Sequence, residues 1–244
     1  MARAGRDLQT TLAGYLDKTH RPLNCLLFVL PLLAAYEAGA VFFGEMLRAS
    51  ADMTALLRLF GARGALWPAV VVVGVLLAWH VWTRQRWHVD AETLLGMVVE
   101  SVLWAAPLVL MSHVLSRLAP PSPWAASALL AAAPRQQAVN VLVGLGAGVY
   151  EEFLFRLGAL GLFLLVCVKW AHARRKPMIV IGAIVTSVLF SLYHFIGVPQ
   201  FHGMRFVFYA AAGGYLATMY VLRGFGVAVG VHAFYNILAA VLRG

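Results

Sequence analysis

The sequence predicts an all-α fold, a polytopic integral membrane bundle of seven or eight transmembrane helices around an internal polar cavity. Three observations carry that reading. Apolar runs of about 20 residues, the length needed to cross a bilayer core, recur from Leu23 to the C-terminus. The 244 residues are 62% hydrophobic and only 12% charged, with a mean hydropathy of +0.81, far from the composition of soluble domains. The remaining charges sit mostly in the connections between apolar runs, so the few inside them stand out.

The first twenty-one residues, with Arg3, Arg6, Lys18 and Arg21, read as an amphipathic or interfacial lead-in, too polar for a cleavable secretory signal. A first span follows over 23–47, containing Pro31 and a buried acid, Glu37, read as a hydrogen-bonded structural group. The stretch Arg48 to Arg63 is polar enough to lie in the interface. A second span covers 65–83 and the charged turn Arg84 to Glu92 follows it. A third covers 94–118 and carries Glu100, again expected to be packed and paired rather than catalytic. Pro120, Pro121 and Pro123 break the chain, and the apolar run 124–133 is too short to cross, so it reads as interfacial or re-entrant. The fourth span, 138–168, is long, and Gly158 with Gly161 suggests a bend or a junction of two shorter helices. Lys169, Arg174, Arg175 and Lys176 close it. Spans over 178–195, 206–222 and 227–242 complete the chain.

The formal charge of +9 does not point to nucleic acid, because eighteen of the nineteen Lys and Arg, all but Arg156, are spread thinly over the connections. They read as topology signals and lipid-headgroup contacts. With seven alternating spans, eleven Lys and Arg fall on the side of the N-terminus and seven on the other, which favours a cytoplasmic N-terminus. Cys25 and Cys167 lie in or beside apolar runs and read as small hydrophobes, so no disulfide is expected.

The chemistry concentrates in the C-terminal half. Gly144 to Arg156, Gly-Leu-Gly-Ala-Gly-Val-Tyr-Glu-Glu-Phe-Leu-Phe-Arg, puts three charges into an apolar run, at about 2.5 kcal/mol or more each. Glu152 and Arg156 stand at i and i+4 on one helical face and can pair. At about 100° per residue Glu151 points well away from Arg156, which keeps its carboxylate available for chemistry. Gly146 and Gly148 allow another helix to come close or the helix to loosen locally. In the fifth span Phe190-Ser-Leu-Tyr-His194 places a ring and an imidazole at i and i+4, and in the seventh His232-Ala-Phe-Tyr-Asn236 does the same with an imidazole and an amide. A single intramembrane His is more often a packing residue. Three polar faces on three spans supply instead a carboxylate base, a His beside it and a His plus Asn as hydrogen-bond donors, the parts that hydrolysis by water needs.

These motifs, Glu151-Glu152-x-x-x-Arg156, Phe190-x-x-x-His194 and His232-x-x-x-Asn236, resemble in order the three signatures of the CAAX protease and bacteriocin-processing family, also called the Abi family. Its members are intramembrane glutamic endopeptidases, among them the Ras-converting CAAX prenyl endopeptidase. The resemblance covers about the last hundred residues, so the chain divides into N-terminal membrane helices, 1–135, and a catalytic core, 136–244. It implies that Glu151 and His194 hold and deprotonate the attacking water. It further implies that His232 and Asn236 stabilise the oxyanion, that Glu152 and Arg156 organise the site, and that Phe190 packs near His194. The implied partner is a membrane-associated protein or peptide substrate, with no cofactor, and the implied location is the cytoplasmic membrane of a prokaryote. No residue identifies a prenyl pocket.

Other protease chemistries are disfavoured by absence. There is no His-Glu-x-x-His, no Gly-x-Ser-Gly, and Asp7, Asp17, Asp52 and Asp90 all lie near span ends in the first ninety residues, leaving no buried Asp pair. Two alternatives stay open: zinc held by Glu151, His194 and His232, or a non-enzymatic immunity or transport protein relaying ions or protons. Zinc would draw His232 away from Asn236, whereas the metal-free arrangement uses every group once, so no metal is expected.

Overall fold

The structure is a computed structural model that describes residues 13–44, 55, 66–118 and 134–242. Most of the first twenty-one residues, the connection 48–63 apart from residue 55, the three prolines after 118 and the short run 124–133 lie outside the described residues.

Among the described residues the fold is helical without strands. A short helix over 13–19 leads into α1 (Pro22–Phe43), which is followed by α2 (Trp67–Thr83), α3 (Ala91–Leu118), α4 (residues 134–170), α5 (Arg175–Tyr193), α6 (Gly203–Arg223) and α7 (Phe225–Leu242). Five of these rods are long and apolar enough to cross a membrane: Pro22–Phe43, Ala91–Arg117, Arg135–Trp170, Arg175–Tyr193 and Phe225–Leu242. Trp67–Thr83 is a shorter apolar helix, and α6 is as long as the others but less apolar. Pro22 and Pro68 sit in the first turns of α1 and α2, where the missing N–H is not needed. Gly44 ends α1 and Arg84 ends α2, both with positive φ.

Contacts at the helix ends fix the order of crossings. Lys18 pairs with Asp90 at 2.5 Å, the His20 ring meets the Val221 carbonyl at 3.4 Å, and Lys169 lies 5.6 Å from the Trp82 ring. The lead-in, the α2–α3 connection, the end of α4 and the α6–α7 turn therefore gather at one end, as strict alternation of the helices requires. Glu100 in α3 accepts from Tyr15 at 2.9 Å, from Trp104 and from both nitrogens of an Arg223 fork, so it is paired as expected. Glu37 accepts from Tyr150, again as expected.

Packing places α7 at the centre, against α4 on one side and α3 on the other, with α1 and α6 alongside. Its first nine residues, Phe225 to Ala233, are all buried, so this half of α7 is apolar around its whole circumference apart from His232. One apolar cluster runs through Cys25, Tyr36, Leu76, Met97, Val149, Leu216 and Val231, joining helices from both halves of the chain. Both cysteines are free thiols. The turn between α6 and α7 needs Gly224 twice over. Its φ is +88°, and a Cβ there would lie 2.7 Å from the Thr19 carbonyl oxygen.

The fourth span departs from expectation. Gly158 and Gly161 do not mark a junction; the rod continues unbroken to Trp170. It widens instead, from α (Pro134–Glu152) to π-helical turns over Phe153–Leu160 and again over Leu165–Trp170, with Gly161–Leu164 between them. The first widening begins directly after Glu152, and such turns are frequent at functional sites. Added turns of larger radius keep the rod continuous, so no chain break is needed.

Candidate active site

Four helices meet at this widening. Glycines let α4 and α7 touch: a Cβ on Gly148 would sit 2.9 Å from the backbone nitrogen of Ala233, and one on Gly144 would sit 2.7 Å from the Asn236 Cβ. The predicted close approach is therefore real at Gly148, with Gly144 as its partner one turn earlier. It brings the residues after Gly148 opposite those before Asn236.

Glu152 and Arg156 form the expected ion pair, Nε to Oε2 at 3.1 Å, with the two side chains 0% and 1% exposed. Two further partners surround Arg156: Nη2 donates to the Gly213 carbonyl of α6 at 3.0 Å, and the guanidinium lies 4.5 Å from the centre of the Phe190 ring. The second oxygen of Glu152 brings a contact that helical spacing alone did not foresee. Its Oε1 lies 2.8 Å from Nδ1 of His232. A carboxylate only accepts, so Nδ1 donates and Nε2 is the nitrogen turned to the site.

Glu151 faces the other way, as predicted. Its Oε2 lies 3.6 Å from Nε2 of His194 and 4.0 Å from Nε2 of His232. His194 is anchored by its own helix, with Nδ1 2.8 Å from the Phe190 carbonyl, which also only accepts. The neutral ring therefore carries its proton on Nδ1 and leaves the Nε2 lone pair on the side of Glu151, without a direct hydrogen bond between them. Phe190 packs on it at 4.6 Å between ring centres, as expected, and lies 6.0 Å from the His232 ring. Glu151 and His194 are 15% and 19% exposed, more open than the buried Glu152 behind them.

Asn236 is placed differently from the other site residues. Its Nδ2 donates to the Gly144 carbonyl at 3.2 Å, one turn below His232 on the same face of α7. The structure thus unites Glu151, Glu152, Arg156, Phe190, His194 and His232, and sets Asn236 beside them on the α4 backbone. Among the described residues no three His, Cys, Asp or Glu side chains converge in the geometry of a metal site.

Two contributors escaped the sequence reading. Tyr209 of α6 stacks on His194 with ring centres 3.9 Å apart and planes 21° apart. Gly213, one turn later, supplies the carbonyl that Arg156 bonds. The available signal was the row Arg205, Tyr209, Gly213 at i, i+4, i+8 on one face of α6.

Together these features define a polytopic helical membrane protein whose centre holds a carboxylate between two imidazoles. Residues 134–238 match the family described as Type II CAAX prenyl endopeptidase Rce1-like, in agreement with the resemblance carried by the three motifs. The match begins at the first residue of α4 and covers every site residue. It supports a protease, a hydrolase embedded in the bilayer and acting on a protein or peptide. Comparison with curated proteins and with solved structures found no match.

Proposed function

We propose that this chain is an intramembrane endopeptidase that cleaves a peptide bond with water activated by Glu151 and His194. The observation that supports it most is the convergence of one Glu151 oxygen on the Nε2 atoms of His194 and His232, contributed by three different helices. Two acceptors, the Glu151 carboxylate and His194 Nε2, can share the protons of one water, and the carboxylate takes one as the oxygen attacks the carbonyl carbon. The carbonyl electrons move to the oxyanion. When His232 carries both protons, Glu152 holds Nδ1–H and Nε2–H is turned to that oxyanion, with the Asn236 amide as second donor once it leaves Gly144. Collapse of the intermediate breaks the C–N bond, and the proton held by Glu151 passes to the leaving amine.

Glu152 and Arg156 act in this reading as the frame. Between them they tie α4, α5, α6 and α7, so the two imidazoles keep their distance from Glu151 without relying on the substrate. The substrate is a membrane-associated protein or peptide, and the match to a CAAX prenyl endopeptidase family makes a prenylated C-terminal Cys segment the first probe to use. The charge balance of the connections supports a cytoplasmic N-terminus.

The test compares protein termini in cells carrying the wild type and Glu151→Gln. New N- or C-terminal peptides of membrane-associated proteins should appear only with the wild type. Identical sets of termini, with both proteins folded and present at equal level, would remove the endopeptidase reading.

A further inference from the structure

The geometry points to Tyr209 as a positioning residue that holds the His194 imidazole in the plane from which Nε2 faces Glu151; this deepens the endopeptidase reading and rests on it for the catalytic consequence alone. His194 follows the last residue of α5, where the regular hydrogen-bond ladder has ended and the backbone closes in tight turns from His194 to Ser191 and from Phe195 to Leu192. A side chain at such an end has little of its own helix to fix it. Two of its anchors are local, the Phe190 carbonyl on Nδ1 and the Phe190 ring at 60°, and the flanking Tyr193 ring meets it edge-on at 88°. These leave rotation about the Nδ1 hydrogen bond unopposed from one side.

Tyr209 closes that side. It comes from a different helix and is the ring that lies nearly parallel to the imidazole, at 3.9 Å and 21°. Its own place is set by the rest of the site. One turn later on the same face, Gly213 receives Arg156 at 3.0 Å, and a Cβ there would already be 3.0 Å from the Ser187 Cα of α5. One turn earlier, Ser191 of α5 donates to the Phe206 carbonyl at 2.8 Å. The α5–α6 seam is thus pinned on both sides of the stacked pair, and the buried Arg156 couples the tilt of the His194 ring to the Glu152 frame. Tyr209 touches no reacting atom in this arrangement; it acts through His194.

Histidine-labelled protein in detergent micelles tests this without any substrate. His194, assigned through His194→Gln, should show ring protons shifted upfield by the stacked tyrosine and nitrogen shifts of the Nδ1-protonated tautomer. Tyr209→Phe and Tyr209→Trp keep a ring in place and should keep this signature. Tyr209→Leu, or Tyr209→Met if the leucine variant does not fold, should move the ring protons downfield and mix the tautomers. Unchanged His194 signals in the folded aliphatic variant would overturn the proposal, as would their loss in Tyr209→Phe, which would assign the effect to the hydroxyl. With a farnesylated, internally quenched peptide as probe, the aliphatic variant should lower kcat about 10²-fold at constant KM, the size expected of a small misplacement of a reacting group. A wild type that generates no new protein termini refutes the endopeptidase reading, whereas the spectra decide the role of Tyr209 in either case.

Discussion

His232 Nδ1 lies 2.8 Å from Glu152 Oε1, while the other oxygen of the same carboxylate meets Arg156 at 3.1 Å. One buried acid therefore serves two tasks, neutralising a guanidinium on its own helix and orienting an imidazole on α7. The two neighbouring glutamates are divided by this contact, Glu152 toward Arg156 and His232 Nδ1, Glu151 toward the Nε2 atoms of His194 and His232.

Glu151→Gln keeps the size and polarity of the side chain but cannot take a proton. The expected result is a loss of cleavage rate of about 10² to 10⁴-fold with thermal stability preserved, the value of a general base. Equal stability of both amide variants, with activity lost only in Glu152→Gln, would reverse the assignment of the two acids.

Glu152→Gln leaves Arg156 without its counter-charge at a position that is 1% exposed. Removing one partner of a buried pair costs about 3 to 5 kcal/mol, so the variant should unfold at clearly lower denaturant or temperature in detergent. The double variant Glu152→Gln, Arg156→Met removes the unpaired charge and should regain much of that stability. It should not regain activity, because His232 stays without its carboxylate. A single variant as stable as the wild type would show that the pair is not needed by the fold.

Gly148→Ala forces a methyl group to within 2.9 Å of the Ala233 backbone nitrogen, an atom that cannot swing aside. Overpacking of this kind costs about 1 to 3 kcal/mol. Activity should fall more than stability, since α7 must shift away from α4 and His232 moves with it. Wild-type values in both assays would mean that the two helices separate at Gly148 without cost to the fold or the site.

Asn236→Ala separates two uses of one amide. As an oxyanion donor, its removal lowers kcat about 10² to 10³-fold and leaves KM unchanged. As a tie to Gly144 alone, its removal lowers the unfolding temperature and spares kcat. Steady-state kinetics beside thermal unfolding of the same preparation tells them apart, and the endopeptidase reading expects the first.

Chelation tests the open zinc alternative. Prolonged treatment with a strong chelator should leave the cleavage rate intact, and the purified protein should contain no stoichiometric zinc. Activity lost on chelation and restored by zinc but not magnesium would transfer the chemistry to a metal held by Glu151, His194 and His232.

Much of the bundle was legible because lipid leaves few options. Uninterrupted apolar length reads directly as a crossing helix, and the seven rods lie within a few residues of the runs that predicted them. The pairing of Glu152 with Arg156 was legible for a different reason, since i and i+4 on a helix are neighbours whatever the tertiary fold. Glycine at 148 announced a close approach but could not say to what. A tyrosine in a membrane helix carries no mark of its target, so Tyr209 could not be assigned from sequence; its stack depends on how α6 packs along α5.

The sequence by itself determined the membrane bundle, the three polar faces and the separation of Glu151 from Glu152, all of which follow from hydropathy and helical periodicity within single segments. Only the tertiary structure decided that His232 turns its Nδ1 to Glu152, that Asn236 rests on Gly144, that Tyr209 backs His194, and that the long fourth helix widens rather than breaks. These outcomes depend on the rotation and depth of one helix against another. Those are set by where small residues let backbones meet, a property of pairs of surfaces rather than of any one stretch of chain.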